Sequence, residues 1–278
     1  MEIIFIADFF ADQILGGGEL NNEELIKMLI ADEHKVKKLN SHLVTPGFIE
    51  DNRNSKFIVA NFVGLAPTCI EALYNKKYVI YEHDHKYLTT RDPSQFKDFK
   101  APPAAIINYD FYKNANAVFC QSQFHRDIVH KNLHIDNLIS LSGNLWSAKS
   151  LNLMASIADQ PKNETYAVMQ SSIGHKNTRE AVMYCEHKKL PYALINSASY
   201  EEFLRLLGSH KALVFFPKTP ETLSRVVVEA RMMGMSVIVN KMIGATRESW
   251  YAQKGLELIQ TIRSKRVVIK ELVLEALA

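Results

Sequence analysis

The chain has 278 residues, enough for one large domain or two of ordinary size. With 47% hydrophobic and 23% charged residues it has the makeup of a globular protein, which excludes a disordered or fibrous chain. Its 33 basic residues against 30 acidic ones leave a net charge of +3, too small for the electrostatic footprint of a nucleic-acid binder. Nucleic acid is therefore not an expected partner.

The first predicted strand covers residues 3–7 and leads to a helix over 19–31, with apolar side chains at Leu20, Leu25, Ile26, Met28, Leu29 and Ile30. Strand-like runs at 57–63, 78–81, 117–120 and 138–141 alternate with helix-like stretches at 67–74 and 123–131. Strands separated by helices imply βαβ units and a mainly parallel sheet. Between 151 and 164 the chain turns polar without a strand pattern, which places a domain boundary there and divides the chain into 1–150 and 151–278. The rhythm then restarts, with strands at 166–169, 192–196, 212–216 and 236–240 and helices at 178–187, 200–207 and 221–233. Two such blocks in succession predict an α/β protein with two Rossmann-like domains facing across a cleft.

Three cysteines, Cys69, Cys120 and Cys185, form no CxxC pair and no disulfide framework, which suits a reducing compartment. The first residues, MEIIFIAD, lack the basic region and long apolar run of a signal peptide, and no apolar run approaches the ~20 residues of a membrane span. The expectation is a cytoplasmic protein without a transmembrane segment.

The segment 215–240, FFPKTPETLSRVVVEARMMGMSVIVN, carries the most chemistry. Thr219 suits an N-cap, Pro220 the first helical position and Gly234 the residue past the helix end. A helix starting there would direct unpaired N–H groups over the carboxyl edge of a sheet, an anion site by geometry. Glu221 and Glu229 would lie within roughly 80° of each other on it, with Arg225 between them. On the residues alone this is also a Glu-Arg-Glu ladder on a solvated face.

A Glu-x7-Glu after a strand and a Pro-containing loop, followed by Glu-Ala, a Gly and an apolar strand, resembles the donor-binding segment of retaining GT-B glycosyltransferases of the family 4 type. The resemblance implies Glu221 beside the transferred sugar and Glu229 on the donor ribose. It also implies the amides of Thr222, Leu223 and Ser224 on the diphosphate, where the family usually has Gly at the position of Ser224. Gly16-Gly17-Gly18-Glu19 reads on its own as a flexible turn, neither a dinucleotide fingerprint nor a P-loop. It is similar to the family's Gly-Gly-x-Glu loop, near the donor phosphates and the acceptor. Segments 115–122 and 141–145 resemble, respectively, the family's strand ending in Ser and its run into the second domain.

His83-Asp84-His85 follows the strand 78–81, where alternation would put both imidazoles on one side. A metal site, a polar pair at the cleft rim and, by resemblance, a histidine facing the donor sugar are three readings of it. Lys176 falls where the family carries a lysine on the donor diphosphate, although the Arg usually found about five residues earlier is Ser171 here. The implied protein is a small glycosyltransferase, hexosyltransferase-like. It would move a sugar from a nucleoside diphosphate sugar to an unidentified acceptor with retention, needing no cofactor and no metal. The alternatives are a non-catalytic nucleotide-sugar binding module and a DNA-modifying sugar transferase, the latter disfavoured by the near-neutral charge.

Overall fold

The structure is a computed structural model describing residues 1–278, and it divides into two compact units, Met1–Leu145 with Arg266–Ala278, and Trp146–Lys265. In chain order the first unit contains β1 (Glu2–Ala7), α1 (Gly17–Ala31), β2 (Lys35–Asn40), α2 (Pro46–Asp51), β3 (Lys56–Val59) and α3 (Pro67–Leu73). It continues with β4 (Tyr78–Tyr81), α4 (Tyr109–Asn114), β5 (Ala117–Cys120), α5 (Gln123–Leu133) and β6 (Leu138–Ser140). Its six strands form one parallel sheet in the order β2-β1-β3-β4-β5-β6.

A parallel sheet covered on both faces needs strands that are apolar without alternation. β1 meets that requirement, since Ile3 to Ala7 are fully buried. Successive side chains then serve opposite faces. Ile4, Ile6, Phe57, Val59, Tyr78 and Ile80 belong to one apolar cluster, while Ile3, Phe5, Ile58, Val79 and Tyr81 belong to another.

The second unit contains α6 (Ala148–Ala158), β7 (Asn163–Met169), α7 (Thr178–His187), β8 (Tyr192–Ile195), α8 (Tyr200–Gly208), β9 (His210–Phe215), α9 (Arg225–Met232) and β10 (Ser236–Val239). Its four strands are parallel in the order β10-β9-β7-β8. The chain ends in α10 (Gly255–Leu277), which starts in the second unit and finishes in the first. No helix is long and apolar enough to cross a membrane.

Three expectations are corrected. The polar stretch placed at the boundary contains α6, capped by the Ser147 side chain and buried through Leu151, Met154 and Ile157. That spacing of three is helical and leaves the other faces polar. The first unit ends at Leu145 rather than 150 and takes back 266–278. The third concerns the helix expected over 221–233, which begins only at Arg225.

Candidate functional site

In the second unit the segment after β9 does not turn directly into a helix, because its backbone is tied into neighbouring loops. The Lys218 amide donates to the His175 carbonyl at 2.8 Å, and Asn177 and Asn240 donate their Nδ2 groups to the carbonyls of Phe216 and Pro217. The Glu221 amide donates to Met242, its carbonyl accepts from Gly244, and the Leu223 carbonyl accepts from Ala245. Glu221 thus bridges Ile243 in a strand-like pairing. Thr219 and Pro220, read as N-cap and first helical residue, lie in this extended stretch, so Glu221 and Glu229 do not share a helix face.

The same ties bring together two candidates 45 positions apart. Lys176 Nζ lies 2.7 Å from Glu221 Oε1 in a partly buried ion pair. The Glu-Arg-Glu ladder is therefore absent in its first half, since Glu221 pairs with Lys176 rather than Arg225. The Ser171 amide donates to Thr178 Oγ1 at 3.1 Å.

Ser224 is the N-cap of α9, with φ +76° and ψ +86°, and its side chain makes no capping bond. A left-handed backbone costs an L residue about 1–2 kcal/mol and suits glycine. The Ser224 hydroxyl is buried without a hydrogen-bond partner. An α-helix start also leaves its first N–H groups without intrahelical acceptors. Thr222, Leu223 and Ser224 thus form the approach to a helix N-terminus with an unmatched buried hydroxyl, followed past the helix end by Gly234 at φ +79°.

Glu229 has a different setting from the one expected. Only 2% of its surface is exposed. Its Oε1 accepts from Trp146 Nε1 at 2.8 Å and from the Tyr200 hydroxyl at 2.6 Å, with Arg225 Nε 3.5 Å away. The Arg225 guanidinium also lies 4.4 Å from the centre of the Trp146 ring. Burial and the Glu229 charge push the Tyr200 phenol well above its ordinary value. Through Oε1 the carboxylate holds Trp146, Tyr200 and Arg225 in place. Sequence spacing offers Arg225, four positions away, but could not reveal Trp146 and Tyr200, which come from separate elements.

In the first unit Gly16 is the N-cap of α1 and Gly17 and Gly18 form its first turn, so the triple glycine is a helix start rather than a free turn. A side-chain carbon added at Gly18 would lie 3.5 Å from the His83 ring. His83 Nε2 lies 2.6 Å from Asn22 Oδ1, and its Nδ1 meets the Gln121 side-chain amide. These two neighbours fix the orientation of the ring.

His85 is separated from His83 because β4 ends at Tyr81 and strand alternation does not continue. It is 2% exposed, its Nδ1 lies 3.1 Å from the Tyr87 hydroxyl, and its ring meets that of His125. Burial pushes its pKa down to about 4. The two histidines therefore share neither a face nor a metal site, and only His83 lies beside the glycine-rich start of α1. No group of three or more His, Cys, Asp or Glu side chains is arranged to hold a metal ion.

The turn carrying His83 is held by a buried ion cluster. Glu82 accepts from the amides of His83 and Asp84 and from Tyr112, and Lys86 Nζ lies 2.5 Å from Glu82 and 2.9 Å from Asp84. Burial works against the Lys86 ammonium, but Asp84 and Glu82 outweigh it and raise its pKa. At the carboxyl edge of the sheet, where ligands of such folds bind, a cavity of about 460 Å³ is lined by Asp8, Glu19, Asn61, Asp84 and Arg91 among others. Burial raises the pKa of Glu19, which accepts a long 3.4 Å bond from Asn61 Nδ2. Asp8 accepts from the amides of Val63 and Gly64 and from the Ser41 hydroxyl, shaping the cavity wall. Of these, sequence patterning singles out Glu19, as the acid closing the glycine run, and Asp84, within His83-Asp84-His85.

The candidates thus fall into two groups: Gly16–Gly18 with His83 in the first unit, and Lys176, Glu221 and the 222–224 turn in the second. No protein-family model matches the sequence, and no curated protein matches it. Similarity emerges at the level of solved structures. Anabaena HepE in complex with UDP-glucose matches with a TM-score of 0.55 and 12% identity, over 99% of this chain and 94% of that one. An alpha-glucosyltransferase in complex with UDP and a 13-mer DNA containing an HMU base matches with a TM-score of 0.50 and 10% identity, over 100% and 95% of the two chains. With its two parallel-sheet units, the chain has the α/β fold of the GT-B glycosyltransferases.

Proposed function

We propose that this protein is a glycosyltransferase that takes a sugar from a nucleoside diphosphate donor and passes it to a hydroxyl acceptor. The observation that carries this reading is the start of α9. A left-handed N-cap and a buried hydroxyl without a partner sit three residues after Glu221, which holds the Lys176 ammonium at 2.7 Å. Helix-start amides, a hydroxyl donor and a lysine are the groups that bind a diphosphate and offset charge growing on a leaving one.

In this reading Lys176 and the amides of Thr222, Leu223 and Ser224 bind the diphosphate. Glu221 lies by the sugar, where its charge favours the cationic character that develops at the anomeric carbon. The resemblance to the family 4 type implies a histidine facing the sugar, His83 or His85, and of the two His83 lies beside the Gly16–Gly18 start of α1. Retention of configuration, a hexosyl group and independence from metal rest on the resemblance to the family 4 type. UDP-glucose is the first donor to test, because the similar HepE structure contains it.

The direct test is a thermal-shift titration with UDP and UDP-glucose, followed by release of radiolabelled glucose. A ligand at 100 times its dissociation constant stabilises by about 2.7 kcal/mol. Absence of any shift across nucleoside diphosphates at millimolar concentration would remove the reading. Binding without turnover would leave the non-catalytic binding module.

A further inference from the structure

The ion pair of Lys176 and Glu221 is held from both backbones. Glu221 is paired with the stretch 242–244, donating its amide to Met242 and accepting from Gly244. Lys176 ends a short 3-10 turn, its amide donating to the Ile173 carbonyl at 3.0 Å, and the preceding His175 carbonyl accepts from Lys218. The ammonium and the carboxylate meet at 2.7 Å with 25% and 13% of their side chains exposed. Neither group forms a second ion pair, so each is the other's counter-ion.

A nucleoside diphosphate sugar and the nucleoside diphosphate left after transfer differ in charge at one phosphate. In the sugar donor the terminal phosphate is a diester with a single negative charge. Freed of the sugar it is a monoester whose second ionisation lies near pH 6, so it carries about −1.5 to −2 at pH 7. The added charge falls on the side from which the sugar has left.

We propose that Glu221 makes the site select the sugar-bearing diphosphate over the free one, by repelling the second charge of an unesterified terminal phosphate. This rests on the glycosyltransferase reading and deepens it, because it settles which of donor and spent nucleotide the site retains.

The selectivity follows from what surrounds the phosphates. At the start of α9 they meet neutral donors, the backbone amides and the Ser224 hydroxyl, which is buried without a partner. Neutral donors serve both diphosphates. Lys176 attracts either one, but its charge is matched by Glu221. A second charge on the sugar side therefore meets the carboxylate without a further cation from this pair. Like charges about 6 Å apart at an effective dielectric constant of about 20 repel by roughly a hundredfold in affinity. Screening at a partly exposed pair reduces this to about tenfold.

The experiment measures, by isothermal calorimetry on the full chain at about pH 8, the affinities of UDP and of UDP methylated on its terminal phosphate. The methyl ester has the charge of the donor and lacks its sugar, so it separates charge from sugar contacts. It is expected to bind about tenfold more tightly than UDP. Glu221→Gln keeps the shape and an oxygen for Lys176 while removing the charge, so it should tighten UDP about tenfold relative to the ester and erase the preference. Glu221→Asp keeps the charge and should keep the preference. Equal binding of UDP and its ester by the wild-type protein overturns the proposal, as does a preference that survives Glu221→Gln. If neither nucleotide binds the wild-type protein, the donor reading itself fails, so the two failures are told apart.

Discussion

Replacing Ser224 by glycine changes two things at once at the start of α9. It releases a side chain from a backbone at φ +76° and removes a buried hydroxyl that has no partner. Relief of the left-handed conformation is worth about 1–2 kcal/mol, and removal of an unsatisfied buried polar group about 1–3 kcal/mol. Glycine costs about 0.5–1 kcal/mol more chain entropy on folding. The balance is a gain of about 2 kcal/mol, which for a unit of this size shifts Tm upward by about 8 °C. Differential scanning calorimetry of the ligand-free protein reads this directly. Ser224→Ala keeps the strained backbone and removes only the hydroxyl, so it should show about half the gain. If Ser224→Gly melts at or below the wild-type temperature, the strained N-cap and the stranded hydroxyl are both misjudged.

Lys176→Met removes a charged donor from the diphosphate site and should weaken UDP binding about 10- to 100-fold by isothermal calorimetry; unchanged affinity would move the phosphates elsewhere. Glu229→Gln strips a buried pair of its anion, so it should lower stability by about 3 kcal/mol in urea unfolding and, through loss of the proposed ribose contact, raise the donor KM. An unchanged donor KM would remove the ribose contact and leave Glu229 a structural role. His85, pushed down to about 4 by burial, stays neutral in the folded state while the unfolded chain takes its proton near pH 6.5. Its contribution is complete above that value and is lost as pH falls from about 6.5 toward 4, by about 2 kcal/mol at pH 5. Denaturation midpoints at pH 7 and pH 5 should show a shallower loss in His85→Gln than in wild type. Transfer or donor hydrolysis should persist in EDTA, and complete loss restored by Mn²⁺ would overturn metal independence.

What the sequence reveals here depends on how local the determining interactions are. β4, β5 and α7 coincide with their predicted ranges, because a short buried strand or a helix opening at Asn177-Thr178 is specified by its own side chains. β2 escapes prediction: KVKKLN has three lysines, tolerated because the strand lies at the sheet edge and pairs only with β1. The start of α9 is misread for the opposite reason. Thr219-Pro220-Glu221 is a credible helix opening, but pairing with 242–245 takes up its backbone groups first. The site shows the same division. The glycine run and Lys176 are legible as sequence, whereas the Lys176–Glu221 pair and the enclosure of Glu229 depend on contacts over 29 to 83 positions.

The course of α10 bears on the order in which the protein can fold. Ile269, Val273 and Leu277 are fully buried in the cluster formed by Ile3, Phe5, Leu25 and Val79. Burying three such side chains contributes about 5–9 kcal/mol, comparable with the whole net stability of an ordinary domain. During synthesis, residues 1–145 therefore leave the ribosome with one face of their sheet covered only in part, by α1, and stay so until 266–278 follow. The second unit lacks this dependence, since every residue of its apolar clusters lies within 146–265. The half made later is thus free to finish first, and the half made first must wait, exposing apolar surface for which a chaperone is the natural temporary cover.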